Sequence, residues 1–519
     1  MQNQLDVMEC DVAVIGGGLG GVAAALAAAE SGAQVILSEQ TPWIGGQVTS
    51  QAVSALDEYE RIESVPPTRS YATFRQAIRR YYQETYALPT LMPDGRPLNP
   101  GDGWVSSLCF EPRVGLKVLE EMLSPHVDSG RLRILRHYHP VTARSRAGRI
   151  QSVTLAGPRG KTLAVQASTF LDATELGDLL PLAGIAYTTG AEAQAETDEP
   201  HASPDGPHPG RVQSFTYCFL VEFCPGENHI IRKPSGYERF KRQQPYSLTL
   251  NDKEGRATRF PFFTANSDWP LPFWTYRRVI DGKLLDPSGQ RNDISLINWA
   301  SNDYRWANII DQPSERTAAI LQEARWLSLG FLYWLQTEVE RQDGTGHGYP
   351  ELKLLPQAVG TRSGLSMAPY IRESRRIHGL YRIVEQDIVA EGKQGMDQAT
   401  FFDSVGIGWY AMDLHPAVGD DTSLYVPTLP FQIPLGALIP LDCENLLACC
   451  KNICTTHLTN GAYRLHPVEW SIGEAAGALS AFCIQHSWSP GSVRQVPERL
   501  QAFQQFLKDR GMRIQWPAE

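Results

Sequence analysis

Residues 10–39 run, in order, through an apolar stretch, a glycine cluster, an alanine-rich stretch and a second apolar stretch, and few folds accept that succession. Cys10-Asp-Val-Ala-Val-Ile15 is almost continuously apolar, as a strand buried on both faces requires. Gly16, Gly17, Gly18, Gly20 and Gly21 follow. Residues 22–30 are mostly alanine and favour a helix. Gly32 can end that helix, and Gln34-Val-Ile-Leu-Ser38 predicts the next strand. The chain therefore opens on a compact βαβ unit, which calls for an α/β fold with a parallel sheet.

Further along, residues 113–123 predict a helix and 132–135 a strand. Residues 151–155 and 162–165 predict a hairpin across Gly157-Pro-Arg-Gly160. Phe170-Leu171 leads into Asp172-Ala-Thr174 at the end of another strand. Residues 192–210 hold five acidic residues, four prolines and two histidines among small residues, and read as a mobile insertion. From about 212 to 410 aromatics are dense, and 318–339 is the longest helix candidate there. The last third returns to the opening style, with a strand at 445–448 and a small-residue helix at 468–484, Pro467 near its first turn. The expected architecture is a discontinuous Rossmann-like domain, residues 8–190 and 365–519, with an inserted α+β substrate or cap domain at 191–364.

Composition narrows the class. At 519 residues with 42% hydrophobic and 20% charged, the chain is neither disordered nor a coiled coil. Its formal net charge of −10 argues against nucleic acid or anionic membrane as the main partner and leaves a small molecule. Nine sparse cysteines without a repeated CxxC predict neither a disulfide framework nor a metal site, and suit a reducing, cytoplasmic setting. Residues 12–29 are uncharged over a length that just reaches a membrane span. Five glycines interrupt them and no Lys or Arg precedes them, so neither a span nor a signal peptide is expected. A homodimer stays open.

Gly16-Gly-Gly18-Leu-Gly-Gly21 satisfies G-x-G-x-x-G between a strand and a helix, the pattern that binds a dinucleotide. Gly16 serves the tight turn, Gly18 lets the backbone approach a pyrophosphate, and Gly21 lets helix pack on strand. The helix N-terminus offers free amides to the phosphates. Glu39, 18 residues beyond Gly21 at the end of the second strand, can accept hydrogen bonds from ribose hydroxyls, with Gln40 beside it. Its charge opposes a 2′-phosphate, so FAD or NAD is expected. Two features favour FAD. Gly45-Gly46-Gln47 allows backbone to approach a flat ring. Arg464-Leu-His466-Pro467 precedes the helix containing Gly473-Glu-Ala-Ala-Gly477, whose dipole would stabilise negative charge on a reduced flavin.

Blocks at 12–40 (VAVIGGGLGGVAAALAAAESGAQVILSEQ), 43–51 (WIGGQVTSQ), 170–184 (FLDATELGDLLPLAG), 372–383 (RESRRIHGLYRI) and 445–481 (NLLACCKNICTTHLTNGAYRLHPVEWSIGEAAGALSA) resemble a large family of FAD-dependent oxidoreductases. Its members include many hypothetical bacterial flavoproteins and some labelled xanthan lyase-related. The family is similar in turn to the glutathione-reductase type of FAD fold. That resemblance implies Gly16, Gly18, Gly21 and Glu39 on the ADP half of FAD and Gly46 and Gln47 near the isoalloxazine. It also implies Val141 lending its backbone near the adenine, and Ala173 and Thr174 lining the cofactor. Where relatives read Ala-Gly-Arg, this chain has Ala448-Cys449-Cys450-Lys451, a departure in the ribityl region.

Four residues are candidates for chemistry. Arg372 opens a basic cluster with Arg375, Arg376 and His378 that reads as an anion clamp or as an ion-paired segment around Glu373. His415, with Asp413, can take the heteroatom proton while a flavin takes a hydride, or can be a hydrogen-bonded loop residue. His457 and His466 flank the approach to the final helix and touch flavin or substrate, or are satisfied loop residues. Cys449, Cys450 and Cys454 read as core rather than redox relay. Trp269, Trp274, Tyr276, Trp299, Trp306, Trp326 and Trp334 line a pocket or, for the most part, a core. The reading is an FAD-dependent oxidoreductase, oxidase or dehydrogenase, that removes hydride from a carbon next to O or N. The alternatives are a flavin-binding protein without turnover and an NAD-dependent dehydrogenase.

Overall fold

A computed structural model describes residues 6–251, 257–266, 271–390 and 397–517. β1 (Asp6–Ile15), α1 (Leu19–Glu30) and β2 (Val35–Glu39) form the opening βαβ unit. β1 starts earlier than its apolar run because residues 6–10 pair with β6 (Thr162–Asp172), where half-exposed residues suffice. Two helices follow, α2 (Arg69–Tyr86) and α3 (Pro112–Asp128), and then β3 (Leu132–Arg136), which pairs parallel to β2. The central sheet runs β3-β2-β1-β6 in parallel, as the apolar runs required. β6 divides its far edge. Its first half pairs with the meander β4 (His139–Arg146) and β5 (Arg149–Ala156), and its end pairs parallel with Leu446–Ala448. The last third of the chain thus re-enters the sheet built by the first third. Ile15, Glu39, Asp172 and Ala448 close their strands on one edge, the carboxyl ends where parallel sheets bind ligands.

α1 is buried from Leu19 to Ala29, and the helix His466–His486 is buried from its start to Cys483. Two such helices can cross only where side chains vanish. A Cβ on Gly473 would overlap the Gly20 carbonyl, and one on Gly477 would overlap that of Ala24. Each helix therefore presents small residues four apart, and the backbones touch.

A second core is aromatic and lies almost wholly within residues 215–371. It packs the antiparallel sheet Arg278–Ile280, Ile294–Ile297, Phe219–Phe223, Leu352–Leu354 and the helix Ser314–Thr337. Trp274 and Trp299 are buried in it, and Trp306, Trp326 and Trp334 pack against it, so these tryptophans act mainly as core. Trp269 lies outside the described residues.

The composition of 192–210 suggests solvated chain, and Glu196, Asp198 and Asp205 are exposed, but the other two acids are tied down. Glu192 is buried against Arg376 at 2.8 Å, and buried Glu199 accepts from the Thr456 hydroxyl at 2.7 Å and the Glu385 amide at 2.8 Å. These partners lie far along the chain and are invisible to a local reading.

Candidate active site

At the carboxyl edge of the sheet, Gly16 turns with φ +105°, a conformation that glycine alone takes freely. Its Cα faces Ala173 so closely that a Cβ would overlap that backbone. The Glu39 carboxylate is buried and fixed by the chain itself: Oε2 accepts from the Gly17 amide at 3.0 Å and Oε1 from the Thr41 amide at 2.7 Å. Burial pushes its carboxyl up to about 7, with the charge of Glu175 adding to the rise. A cavity of about 100 Å³ opens here, lined by Gly16, Gly18, Glu39, Gln40, Pro140 and Ala173 among others.

Next along the edge lies a buried charge cluster. Lys451 Nζ bridges Glu175 Oε2 at 2.5 Å and Glu469 Oε2 at 3.0 Å. Burial opposes the Lys451 charge, but the two carboxylates more than offset it and raise its pKa. Glu469, in the first turn of its helix, also accepts from the Gly20 amide at 3.3 Å and from Gln47 Nε2 at 2.5 Å. Burial raises the Glu469 carboxyl. Among the described residues, Gln47 Oε1 and Glu175 Oε1 are buried without partners.

Beyond Arg464, whose carbonyl accepts from Gln47 Nε2 at 3.1 Å, is an inner cavity of about 90 Å³. Its walls include Tyr276, Trp299, Tyr370, Tyr410, Asp57 and His415. His415 is oriented from behind: its Nδ1 meets Asp303 Oδ2 at 2.6 Å. Asp303 also accepts from Arg372 Nη2 at 2.9 Å and from the Thr216 hydroxyl. Burial resists ionisation of Asp303, yet Arg372 and then His415 overcome it and hold the carboxyl below the usual carboxylate range. An ionised Asp303 places the proton of neutral His415 on Nδ1 and leaves Nε2 an acceptor. Among the described residues Nε2 has no hydrogen-bond partner. His415 is also a wall of a larger outer cavity of about 430 Å³, with Glu192, Glu199, His201, Arg211 and His457.

A family model described as FAD dependent oxidoreductase matches residues 11–507. The chain belongs to the FAD-dependent oxidoreductase family. FAD is accordingly the cofactor, and the nicotinamide alternative is overturned. No curated protein sequence matches this one. Among solved structures, an anhydrotetracycline hydroxylase from Streptomyces rimosus is 13% identical over 97% of this chain and 66% of its own, with TM-score 0.36. A geranylgeranyl bacteriochlorophyll reductase-like protein from Thermoplasma acidophilum is 11% identical over 98% and 85%, also at 0.36. L-proline dehydrogenase from P. horikoshii is 15% identical over 38% of this chain and 27% of that one, at 0.19. The chain thus spans about a quarter of the dehydrogenase and just under two thirds of the hydroxylase. Likenesses this remote carry no argument about activity.

The edge fits FAD. Glu39 keeps one lone pair on each oxygen for ribose hydroxyls after serving Gly17 and Thr41. Gln47 Oε1 and Glu175 Oε1 are acceptors left open at this edge, and Lys451 offsets the carboxylates beside them. Of the residues expected around FAD, Gly16, Gly18, Glu39, Gln40 and Ala173 line one cavity, with Val141 one position beyond its Pro140. Gly21 packs against Gly16, and a Cβ there would overlap the Gly16 carbonyl. Gly46 touches Gly18, while Gly473 meets Gly20 at the helix crossing and is not in the walls of the cavities described above.

The four chemistry candidates separate. Arg372 and His415 meet through Asp303 at the inner cavity. His457 Nδ1 pairs with buried Glu373 at 2.9 Å and faces the outer cavity. His466 has both nitrogens engaged, Nδ1 accepting from the Asp57 amide at 3.0 Å and Nε2 donating to the Val53 carbonyl at 3.1 Å. Burial pushes it down to about 4, so it is a neutral brace for the Asp57 loop with no nitrogen to spare. The basic cluster proves ion-paired, Arg376 to Glu373 and Glu192, and Arg375 to Asp178 and Asp311. The three cysteines near 450 are free and buried. Sequence reading missed Asp303, which no motif marks. It also passed over Glu469, although a carboxylate in the first turn of a small-residue helix was a visible signal. Apart from these cavities, Cys224, Glu227 and His229 hold possible ligand atoms within 4.8 Å, but His229 is already bonded to Glu227 at 2.6 Å.

Proposed function

We propose that this protein oxidises a small organic molecule at a carbon bearing O–H or N–H, with the inner cavity as substrate site and His415 as the proton acceptor. FAD, when bound, supplies the two-electron acceptor for the hydride leaving that carbon. The heteroatom proton passes to His415 Nε2, and a C=O or C=N bond forms in the substrate. Asp303 stabilises the imidazolium that results and keeps the ring in the accepting tautomer, while Arg372 and Thr216 keep Asp303 in place. In this reading residues 8–190 and 365–519 carry the cofactor, and 191–364 cover the substrate and contribute Asp303. The observation that carries it is a histidine backed by an ionised carboxylate, with its second nitrogen unpartnered, in the wall of a polar cavity.

The test is anaerobic mixing of the FAD-loaded protein with a panel of small alcohols, hydroxy acids, amines and amino acids, followed by flavin absorbance. Bleaching by a panel member, lost in His415→Ala, is expected. Bleaching that survives in His415→Ala removes the histidine from the reaction. A second reading, flavin binding without turnover, is favoured by Lys451 and Glu469 filling the region where relatives carry Ala-Gly-Arg. That reading predicts no bleaching by any of the panel.

A further inference from the structure

Three arginines line the inner cavity, and they are not equivalent. Arg277 contacts Asp57 at 2.9 Å and also donates to the Ala55 carbonyl at 3.0 Å. Arg372 contacts Asp303 at 2.9 Å and donates to the Ser214 carbonyl at 2.8 Å. Arg464 meets a carboxylate only at long range. It donates to the Tyr370 hydroxyl at 2.8 Å and the Asp413 carbonyl at 3.0 Å, both uncharged, and the nearest carboxylate oxygen, Asp413 Oδ2, stands 3.9 Å away. Its Nε, like those of Arg277 and Arg372, has no partner among the described residues, and the residue is 2% exposed. Burial works against its charge, but the anionic and phenolic surroundings keep it cationic. A guanidinium held out of water without a contact counter-ion is costly, and a carboxylate is the group its planar donors match best.

We infer that the inner cavity seats a carboxylate on Arg464, so that the substrate is a compact organic acid carrying the O–H or N–H to be oxidised. This rests on the cavity being the substrate site. The walls suit such a molecule: Tyr276, Trp299, Tyr370 and Tyr410 offer flat faces, and His415 stands in the same wall as the proton acceptor. Asp413, also in the wall, is the internal competitor for Arg464. A substrate carboxylate must therefore work against its charge, and removing that charge strengthens the seat.

The experiment titrates FAD-loaded protein with propionate and with propionamide, which share size and shape but differ in charge, and follows the flavin absorbance spectrum. Propionate perturbs the spectrum saturably, and propionamide does not over the same range. Arg464→Gln weakens propionate at least tenfold, and Asp413→Asn tightens it severalfold. The opposite signs keep the test valid if Arg464→Gln folds poorly, since Asp413→Asn then carries it. Equal binding of the amide, equal binding of chloride, or unchanged propionate affinity in both variants overturns the inference. Propionate binding that depends on Arg464, with no hydroxy or amino acid bleaching the flavin, leaves the seat standing and removes the oxidation reading. Bleaching by neutral alcohols or amines alone does the reverse.

Discussion

Replacing Glu39 separates two jobs that its carboxylate performs at once. Within the chain it accepts from the Gly17 and Thr41 amides. Glu39→Ala leaves both buried donors unpaired, at about 1–3 kcal/mol each. Against that stands its charge. Burial lifts the folded carboxyl to about 7 from an ordinary 4.5, so the ionised form costs the fold about 3 kcal/mol. That penalty is absent below the unfolded value, grows as pH rises toward 7, and is complete above it. Apo Glu39→Ala is therefore clearly less stable than wild type near pH 5, and closer to it near pH 8, where the variant no longer bears the buried charge. Ribose hydroxyls donating to the two free lone pairs favour the ionised form. Wild-type FAD affinity should then tighten between about pH 5 and pH 7, by up to about two orders of magnitude. Asp172, also lifted to about 7 by burial, titrates in the same window. Its contribution cancels when wild type and variant are compared at each pH. Glu39→Gln falls between them, because its amide nitrogen faces one of the two backbone donors. Denaturant melts of apoprotein and fluorescence titration with FAD at several pH values read both quantities. Identical FAD affinity and identical pH slope in wild type and Glu39→Ala would refute the placement of the ribose at this carboxylate.

Asp303→Asn should destabilise the protein by about 3–5 kcal/mol in urea, because Arg372 keeps its buried charge and loses its contact counter-ion. The same variant should slow anaerobic flavin reduction, since His415 loses the partner that fixes its tautomer. Lys451→Met leaves Glu175 and Glu469 facing each other without a cation. Its destabilisation, about 3–5 kcal/mol, should grow as pH rises, because burial already raises the Glu469 carboxyl and loss of the cation raises it further. A pH-independent loss would show that Lys451 acts through packing alone. Gly473→Ala should cost about 1–3 kcal/mol in thermal or urea melts, as the Gly20 carbonyl must move to admit the methyl. An unchanged melting point would mean that the two helices cross more loosely than the structure shows.

What the sequence made legible was local and periodic. The βαβ unit, the Gly157–Gly160 hairpin turn and the two long helices follow from apolar runs, glycines and alanines within a few residues of one another. Gly16, Gly18, Glu39 and Ala173 line one cavity for the same reason, the first three being tied by one strand–helix–strand unit. Legibility failed where a partner is distant. Residues 192–210 look solvated by composition, but Arg376, Thr456 and Glu385 hold two of their five acids, Glu192 and Glu199, in buried places. Gly473 meets Gly20, far away in the chain, a packing that no local pattern marks. His466 looked as available as His415, and the difference lies in Val53 and Asp57, which occupy both of its nitrogens.

The same contrast bears on how the inner cavity is built. Asp303 comes from the aromatic half of the chain, whereas Arg372, His415 and Arg464 come from the segments that return to the parallel sheet. None of these groups is stable alone in a buried place: Asp303 needs Arg372 to ionise, and His415 needs an ionised Asp303 to hold its proton on Nδ1. The accepting nitrogen is thus a product of docking two cores, not of either one. Arg464 differs from the rest because its hydrogen bonds go to neutral acceptors and its ion pair, to Asp413, is long at 3.9 Å. On the inference drawn above, the closer half of that ion pair is brought by what binds there.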